Sequence, residues 1–261
     1  MVFIVSPAKK MTAVDGAFEH RGFPPLLFRT CSILESLRNL SYEEAKALWK
    51  CSDSLAELNY ERVQNMDLTR GLVPAVFSYE GIQYQHLAPH VMTEQQLEYL
   101  QNHLRILSGF YGVLNPFDGV TPYRLEMQAK LQVNGHKDLY GFWGSALFDA
   151  LCQESGVIVN LASVEYAKAV VPWVRDWNET CDNAREVALI TCLFGTLRDG
   201  KLVQRSTEAK AARGSFVRWC AENQVEDPEE FVKFNVMGYA FAPELSSISH
   251  NGCEKTLVFV R

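Results

Sequence analysis

The sequence predicts a single α/β domain (mixed α+β), a mixed β-sheet flanked by helices, and three observations carry that reading. Short runs of β-branched and aromatic residues, such as Val2 to Val5 and Val157 to Leu161, read as buried strands. Between them lie longer segments with apolar residues at helical spacing, several opened by capping signals. No linker, repeat or shift of composition divides the 261 residues, which are enough for one large core.

Taken in order, Val2 to Val5 forms the first strand. Ser6-Pro7-Ala8-Lys9-Lys10 then sets a hydroxyl and two ammonium groups at its C-terminal end, the edge where ligands collect in open α/β sheets. A solvated loop accounts for the same residues equally well. Residues 11–30, with Gly16, Gly22, Pro24 and Pro25, read as an irregular connector. Leu26 to Leu40 has helical spacing. Ser41 with Glu44 forms a capping box, and Ser52-Asp53-Ser54 caps a following helix.

Pro74 to Tyr84 reads as a strand and turn with Tyr79-Glu80-Gly81 at its tip. Thr93 with Gln96 opens a helix whose stripe Leu97, Leu100, Leu104 and Leu107 runs to Gly109 as its C-cap. The next stretch, to Met127, is punctuated by Gly109, Gly112, Pro116 and Pro122 and ends in Tyr123-Arg124-Leu125-Glu126. Gly109 and Gly112 allow positive φ or the close approach of another backbone. Arg124 and Glu126, two apart, share one side of an extended segment.

Asp138 to Leu151 reads as a core helix. Val157 to Leu161 is the clearest strand, and it empties into Ala162 to Lys168. Ser163 and Glu165 there suit either a phosphate or ribose at a helix start, or an ordinary N-cap and first-turn acid. Arg185 to Thr196 is a strand, Thr196 to Val203 a hairpin turning at Asp199-Gly200, and 206–223 a helix with Lys210, Arg213 and Arg218 on one side. Phe234 to Phe241 and Lys255 to Val260 close the sheet.

Net charge is −6, so no basic field covers the whole surface and a nucleic-acid site has to be a local patch. The seven cysteines are scattered without a CxxC spacing, which argues against a disulfide framework or a zinc site. His86 and His90 form the one close histidine pair, with Pro89 between them, so no metal and no cofactor is expected. Phosphate-loop, dinucleotide, zincin and nucleophile-elbow patterns are absent. The start lacks a charged leader with an apolar core, and no run approaches a membrane span. A cytoplasmic protein without membrane contact is the expectation.

What remains is a set of polar residues at strand ends and in stiff turns: Ser6, Lys9, Tyr79, Glu80, Arg124, Glu126, Asn160, Ser163, Glu165 and Tyr166. Together they suit an anionic ligand with a flat ring. Glu126, Glu165 and Lys9 are the candidates for acid–base catalysis.

Several stretches resemble the YaaA peroxide-stress family over nearly the full length: FIVSPAKK, SDSLAELNYERV, HLRILSGFYGVLNPFDGVTPYRLEM, KDLYGFWG, VIVNLASVEY, KAARG and FNVMGYAF. The resemblance implies a protein that protects cells under hydrogen-peroxide stress by limiting free iron and so Fenton damage. It implies a single α/β domain with a positively charged cleft, a helix-hairpin-helix-like element and DNA binding. That element maps onto Leu97 to Leu114, with the phosphate-facing turn at Gly109-Phe110-Tyr111-Gly112. Its expected DNA contacts are Arg105, Ser108, Gly109, Tyr111, Gly112, Arg124, Lys210 and Arg213, to duplex or branched DNA without sequence preference. The alternative is an enzyme acting on a nucleotide, nucleoside or nucleobase in the same cleft. A third reading, an iron-binding protein, lacks a cluster of ligands.

Overall fold

A computed structural model describes residues 1–13, 18–181, 186–249 and 252–261. Gly16 and the start of the expected strand at Arg185 lie outside the described residues. The rest forms one large mixed sheet with helices packed against it, together with two small two-stranded sheets.

Five strands make the parallel centre of the sheet. In spatial order they are Glu254–Val260, Ala188–Arg198, Val157–Asn160, Val2–Val5 and Leu104–Ser108. Antiparallel strands close the edges: Ala240–Phe241 beside Glu254–Val260, and Gly112–Leu114 beside Leu104–Ser108. The central strands are apolar without alternation because both of their faces are covered. Every residue of Val2–Val5 and of Leu104–Ser108 is buried.

The helix Ser206–Asn223 lies on one face of this centre. Its Phe216 packs edge-on against Phe3 and Phe194 of the sheet. Gly214 lets the same helix meet the short helix Ile82–Leu87: a Cβ there would stand 2.0 Å from the Gln83 carbonyl oxygen. Local signals set some of the helix starts, although Ser52, expected to cap Asp53–Asn65, makes no side-chain capping bond there. Ser41 with Glu44 and Thr93 with Gln96 both close full capping boxes. Asp138 accepts the Gly141 N–H at the head of Leu139–Trp143, and Gly144 then separates this helix from Ala146–Glu154.

Of the expected closing strand Phe234 to Phe241 only Ala240–Phe241 is a strand, a 3-10 turn at Val236–Gly238 preceding it, and two further expectations are corrected. The helix from Thr93 stops at His103, and Leu104–Ser108 is a strand paired with Gly112–Leu114. No helix-hairpin-helix stands at Leu97 to Leu114. The leucine spacing there satisfies a helix, but a strand buried on both faces is apolar at every position and so mimics any period. Helices joined by short connections lie elsewhere, among them Tyr42–Trp49 and Asp53–Asn65. Likewise Pro74 to Tyr84 is not a strand: Ala75–Ser78 and Ile82–Leu87 are helical on either side of the two-residue strand Tyr79–Glu80.

Among the described residues no helix is long and apolar enough to cross a membrane.

Candidate functional site

From Val2–Val5 the chain proceeds to Leu104–Ser108, which pairs on one side of it. From Val157–Asn160, paired on its other side, the chain proceeds away to Ala188–Arg198. The loops leaving these two neighbours therefore diverge, and a crevice opens at their carboxyl ends, a topological switch point. Ser6 and Ser163 line it from the two loops, and they are tied together. Ser6 Oγ accepts the Ser163 backbone N–H at 2.8 Å and donates to Ser163 Oγ at 3.2 Å.

The crevice is a cleft of about 530 Å³. Five cations line it, Lys9, Lys10, Arg124, Lys210 and Arg213, against three acids, Glu80, Glu126 and Glu165. It is thus locally positive in a chain of net charge −6. Lys10 pairs with Glu80, whose carboxyl is thereby held below the usual range. Glu126 lies 2.8 Å from Lys9 Nζ and 3.5 Å from Arg124 Nη2.

Lys210 and Arg213 reach the cleft from the helix Ser206–Asn223 and have no carboxylate partner among the described residues. Arg213 Nε and Arg124 Nε are buried without an acceptor among the described residues. Burial pushes the Arg213 guanidinium below its ordinary range, because the charge is taken from water without a full counter-charge in return.

Glu165 sits in the short helix Val164–Ala167. Burial raises its carboxyl above the usual range; the Gln128 N–H, donated to Oε1 at 3.2 Å, pulls the other way, and the charge of Glu126 adds to the rise. Two carboxylates near each other, one facing two cations and one half-buried, offer the unequal environments that acid–base work uses.

A chain of buried hydroxyls lies behind the cleft wall and reaches its lining at Tyr123. Ser108 Oγ accepts the N–H groups of both Phe110 and Tyr111, so its own proton goes to Tyr123 Oη at 2.6 Å. Tyr123 Oη lies 2.9 Å from Tyr79 Oη. Tyr84 Oη donates to the Ser6 carbonyl at 3.0 Å and so braces the loop after the first strand.

Of the residues expected in the cleft, Ser6, Lys9, Arg124, Glu126, Ser163, Glu165 and Tyr166 line it together. Two stand behind its wall. Tyr79 is buried against Tyr123, and Asn160 is spent on the Ala162 N–H and Thr191 Oγ1. The residues expected to hold DNA divide more sharply. Lys210, Arg213 and Arg124 face the cleft.

Arg105, Ser108, Gly109, Tyr111 and Gly112 are buried, and no duplex reaches them. Arg105 is paired with Glu154 at 2.6 Å, and the turn amides of Phe110 and Tyr111 are already given to Ser108. Gly109 is small because another backbone covers it: a Cβ would lie 2.8 Å from the Leu125 carbonyl. Gln83, Tyr123 and Ser206 also line the cleft. No local pattern marks Gln83 or Ser206, since they arrive there through the packing of two distant helices, whereas Tyr123 comes with the Arg124 and Glu126 segment.

Fold and cleft together define a mixed α/β protein with an electropositive crevice at the switch point of its sheet. The profile of a known family, described as peroxide stress protein YaaA, matches residues 1–245, and the chain belongs to that family. It is 48% identical over 247 residues to a UPF0246 protein of Pediococcus pentosaceus, covering 95% of both chains. A UPF0246 protein of Lachnoclostridium phytofermentans is 45% identical over 261 residues, covering 100% of this chain and 96% of its own. One from Lactiplantibacillus plantarum is 46% identical over 247 residues, covering 95% and 96%. The family description supports a general role in the response to oxidative stress.

Proposed function

We propose that this peroxide-stress protein binds an anionic, ring-bearing small molecule of the nucleotide class in the cleft and acts on it by acid–base chemistry. The observation that carries the reading is Arg213: a guanidinium withdrawn from water, lining the cleft, with no carboxylate among the described residues to pair with. An unpaired buried cation is costly, and a bound phosphate or carboxylate is the natural counter-charge.

Lys210 and Arg124 add to the same field, and the volume falls in the range of small-molecule sites. Glu165 is the proton donor in this reading and Glu126, held by Lys9, its partner. Calorimetric titration with nucleoside mono- and diphosphates at low salt tests it. Binding weakened at least tenfold by Arg213→Met supports it; no binding of any phosphate-bearing ligand would overturn it.

A second reading, sequence-independent DNA binding, keeps one observation in its favour: Lys10 and Lys210 are exposed cations on the cleft lining. Its contacts then narrow to Lys10, Arg124, Lys210 and Arg213. About four phosphates would be neutralised, and the affinity would fall with a log–log salt slope of roughly −3 to −4. Duplex binding across a salt series, with the Arg124 and Lys210 charges removed, decides it. On either reading the limiting of iron-driven damage follows from what the cleft binds; among the described residues no group of three or more His, Cys, Asp or Glu side chains is placed to hold a metal ion.

A further inference from the structure

A second cavity, of about 720 Å³, lies behind the first. The segment Arg124 to Gln132 forms one wall, and the helices Leu27–Arg38 and Tyr42–Trp49 form the other with Ser36, Leu40, Leu48 and Trp49. Arg124 and Glu126 belong to both linings, so a single stretch of chain is the septum between the two spaces.

The chemistry of the second cavity differs from that of the cleft. Its floor is apolar, with Trp49 5% and Leu131 3% exposed, joined by Leu40 and Leu48. Its exposed lining carries Lys50 and Lys130, neither of which has a carboxylate partner among the described residues. Of its two acids, Glu44 Oε2 is engaged by the Ser41 N–H and hydroxyl at 2.8 and 2.7 Å, and Glu126 faces Lys9. The Trp49 indole N–H is buried and meets no acceptor among the described residues.

We propose that this cavity is a second binding site, for an organic anion with a flat apolar body and one carboxylate- or sulfonate-type group. The body covers Trp49, Leu48 and Leu131. The anionic group lies toward Lys50 and Lys130, with Arg124 at the septum as the third cation. An apolar floor beneath cations that lack partners is the pattern of a site that orients such a molecule. A donor left without an acceptor in the wall points the same way. The proposal is independent of what occupies the cleft. A ligand here shares Arg124 with Glu126, so occupancy of either space shifts affinity in the other by the same factor.

The test uses 1-anilinonaphthalene-8-sulfonate, a flat apolar body with a single anionic group, and follows its fluorescence on the folded full chain. Saturable one-to-one binding is expected. Ala47→Trp fills the cavity from an exposed position, and Lys130→Glu reverses a cation; each should weaken binding about tenfold or more with an unchanged circular dichroism spectrum. Arg213→Met, which alters only the cleft, should leave it unchanged. Binding that survives both cavity variants overturns the proposal, as does binding lost in Arg213→Met, since the probe then sits in the cleft.

Discussion

Ser6 Oγ accepts the backbone N–H of Ser163 at 2.8 Å, the shorter of the two bonds through which this hydroxyl joins the loops that leave the two strands flanking the switch point. The cleft has its width because these loops cannot part. Ser6→Ala removes the acceptor and leaves an N–H in a part-buried position unpaired, a change worth about 1–3 kcal/mol. The expected outcome is a lower denaturation midpoint together with weaker ligand binding, while the circular dichroism spectrum is kept. Ser6→Thr, which retains the hydroxyl, should restore most of both. A midpoint unchanged in Ser6→Ala would remove the bond from the account.

Gly214 is the point where the helix Ser206–Asn223 closes on Ile82–Leu87, bringing Arg213 and Gln83 to the same cleft. A Cβ at 2.0 Å from a backbone oxygen leaves no room, and the clash meets main chain, not the end of a flexible side chain. Gly214→Ala should therefore destabilise by about 3 kcal/mol or more, with the helices forced apart. Urea denaturation measures this. Alanine is the better helix former, so a gain of stability would mean that the two helices do not meet at this distance.

What could be read in the sequence was what local chemistry decides. The capping boxes at Ser41 and Thr93 and the turn at Asp199-Gly200, both residues with positive φ, need only neighbours a few residues away. The polar ends of Val2–Val5 and Val157–Asn160 were legible for the same reason, and with them Ser6, Lys9, Ser163 and Glu165. Leu104–Ser108 misled because full burial erases periodicity. Arg213 could be seen only as part of a basic helix face; its place in the cleft depends on Gly214 and Gln83, 131 residues apart in the chain and adjacent in space. Arg105 looked like a phosphate contact and is instead spent on Glu154.

Asp118 shows what burial does to a carboxylate away from the cleft. It accepts the Asn115 N–H at 2.8 Å, yet desolvation outweighs that bond and raises its pKa from an ordinary 3.8 to about 6. A folded-state pKa above the unfolded one means that the stabilising form is the protonated one. Its contribution is fully present below about 3.8 and is lost as pH rises through about 6. The gap corresponds to about 3 kcal/mol. Asp118→Asn keeps an acceptor and cannot ionise, so its stability relative to the parent should climb by up to that amount between about pH 4 and pH 6 and level off above. Chemical denaturation across that range measures it, and a flat difference would show Asp118 to be better solvated than its position implies.

Glu165 makes the corresponding prediction for the cleft, and here the readout is binding. Burial, with the nearby Glu126, raises its carboxyl above the usual range. In the free protein its protonated form is present below the unfolded pKa and is lost as pH rises through the raised folded one. An anion in the cleft adds a further negative charge near Glu165 and pushes the same pKa higher. Binding therefore takes up a proton, and affinity should fall as pH rises through the Glu165 range. Calorimetry in buffers of different ionisation enthalpy counts that proton directly. Glu165→Gln retains an acceptor for the Gln128 N–H and cannot titrate, so proton uptake should vanish and the affinity profile should flatten. Lys9→Met should do the opposite: Glu126 loses its 2.8 Å partner, its charge weighs more on Glu165, and the fall in affinity moves to higher pH. If Glu165→Gln keeps the parent's pH profile, the proton belongs to another group and Glu165 is not the acid of the cleft.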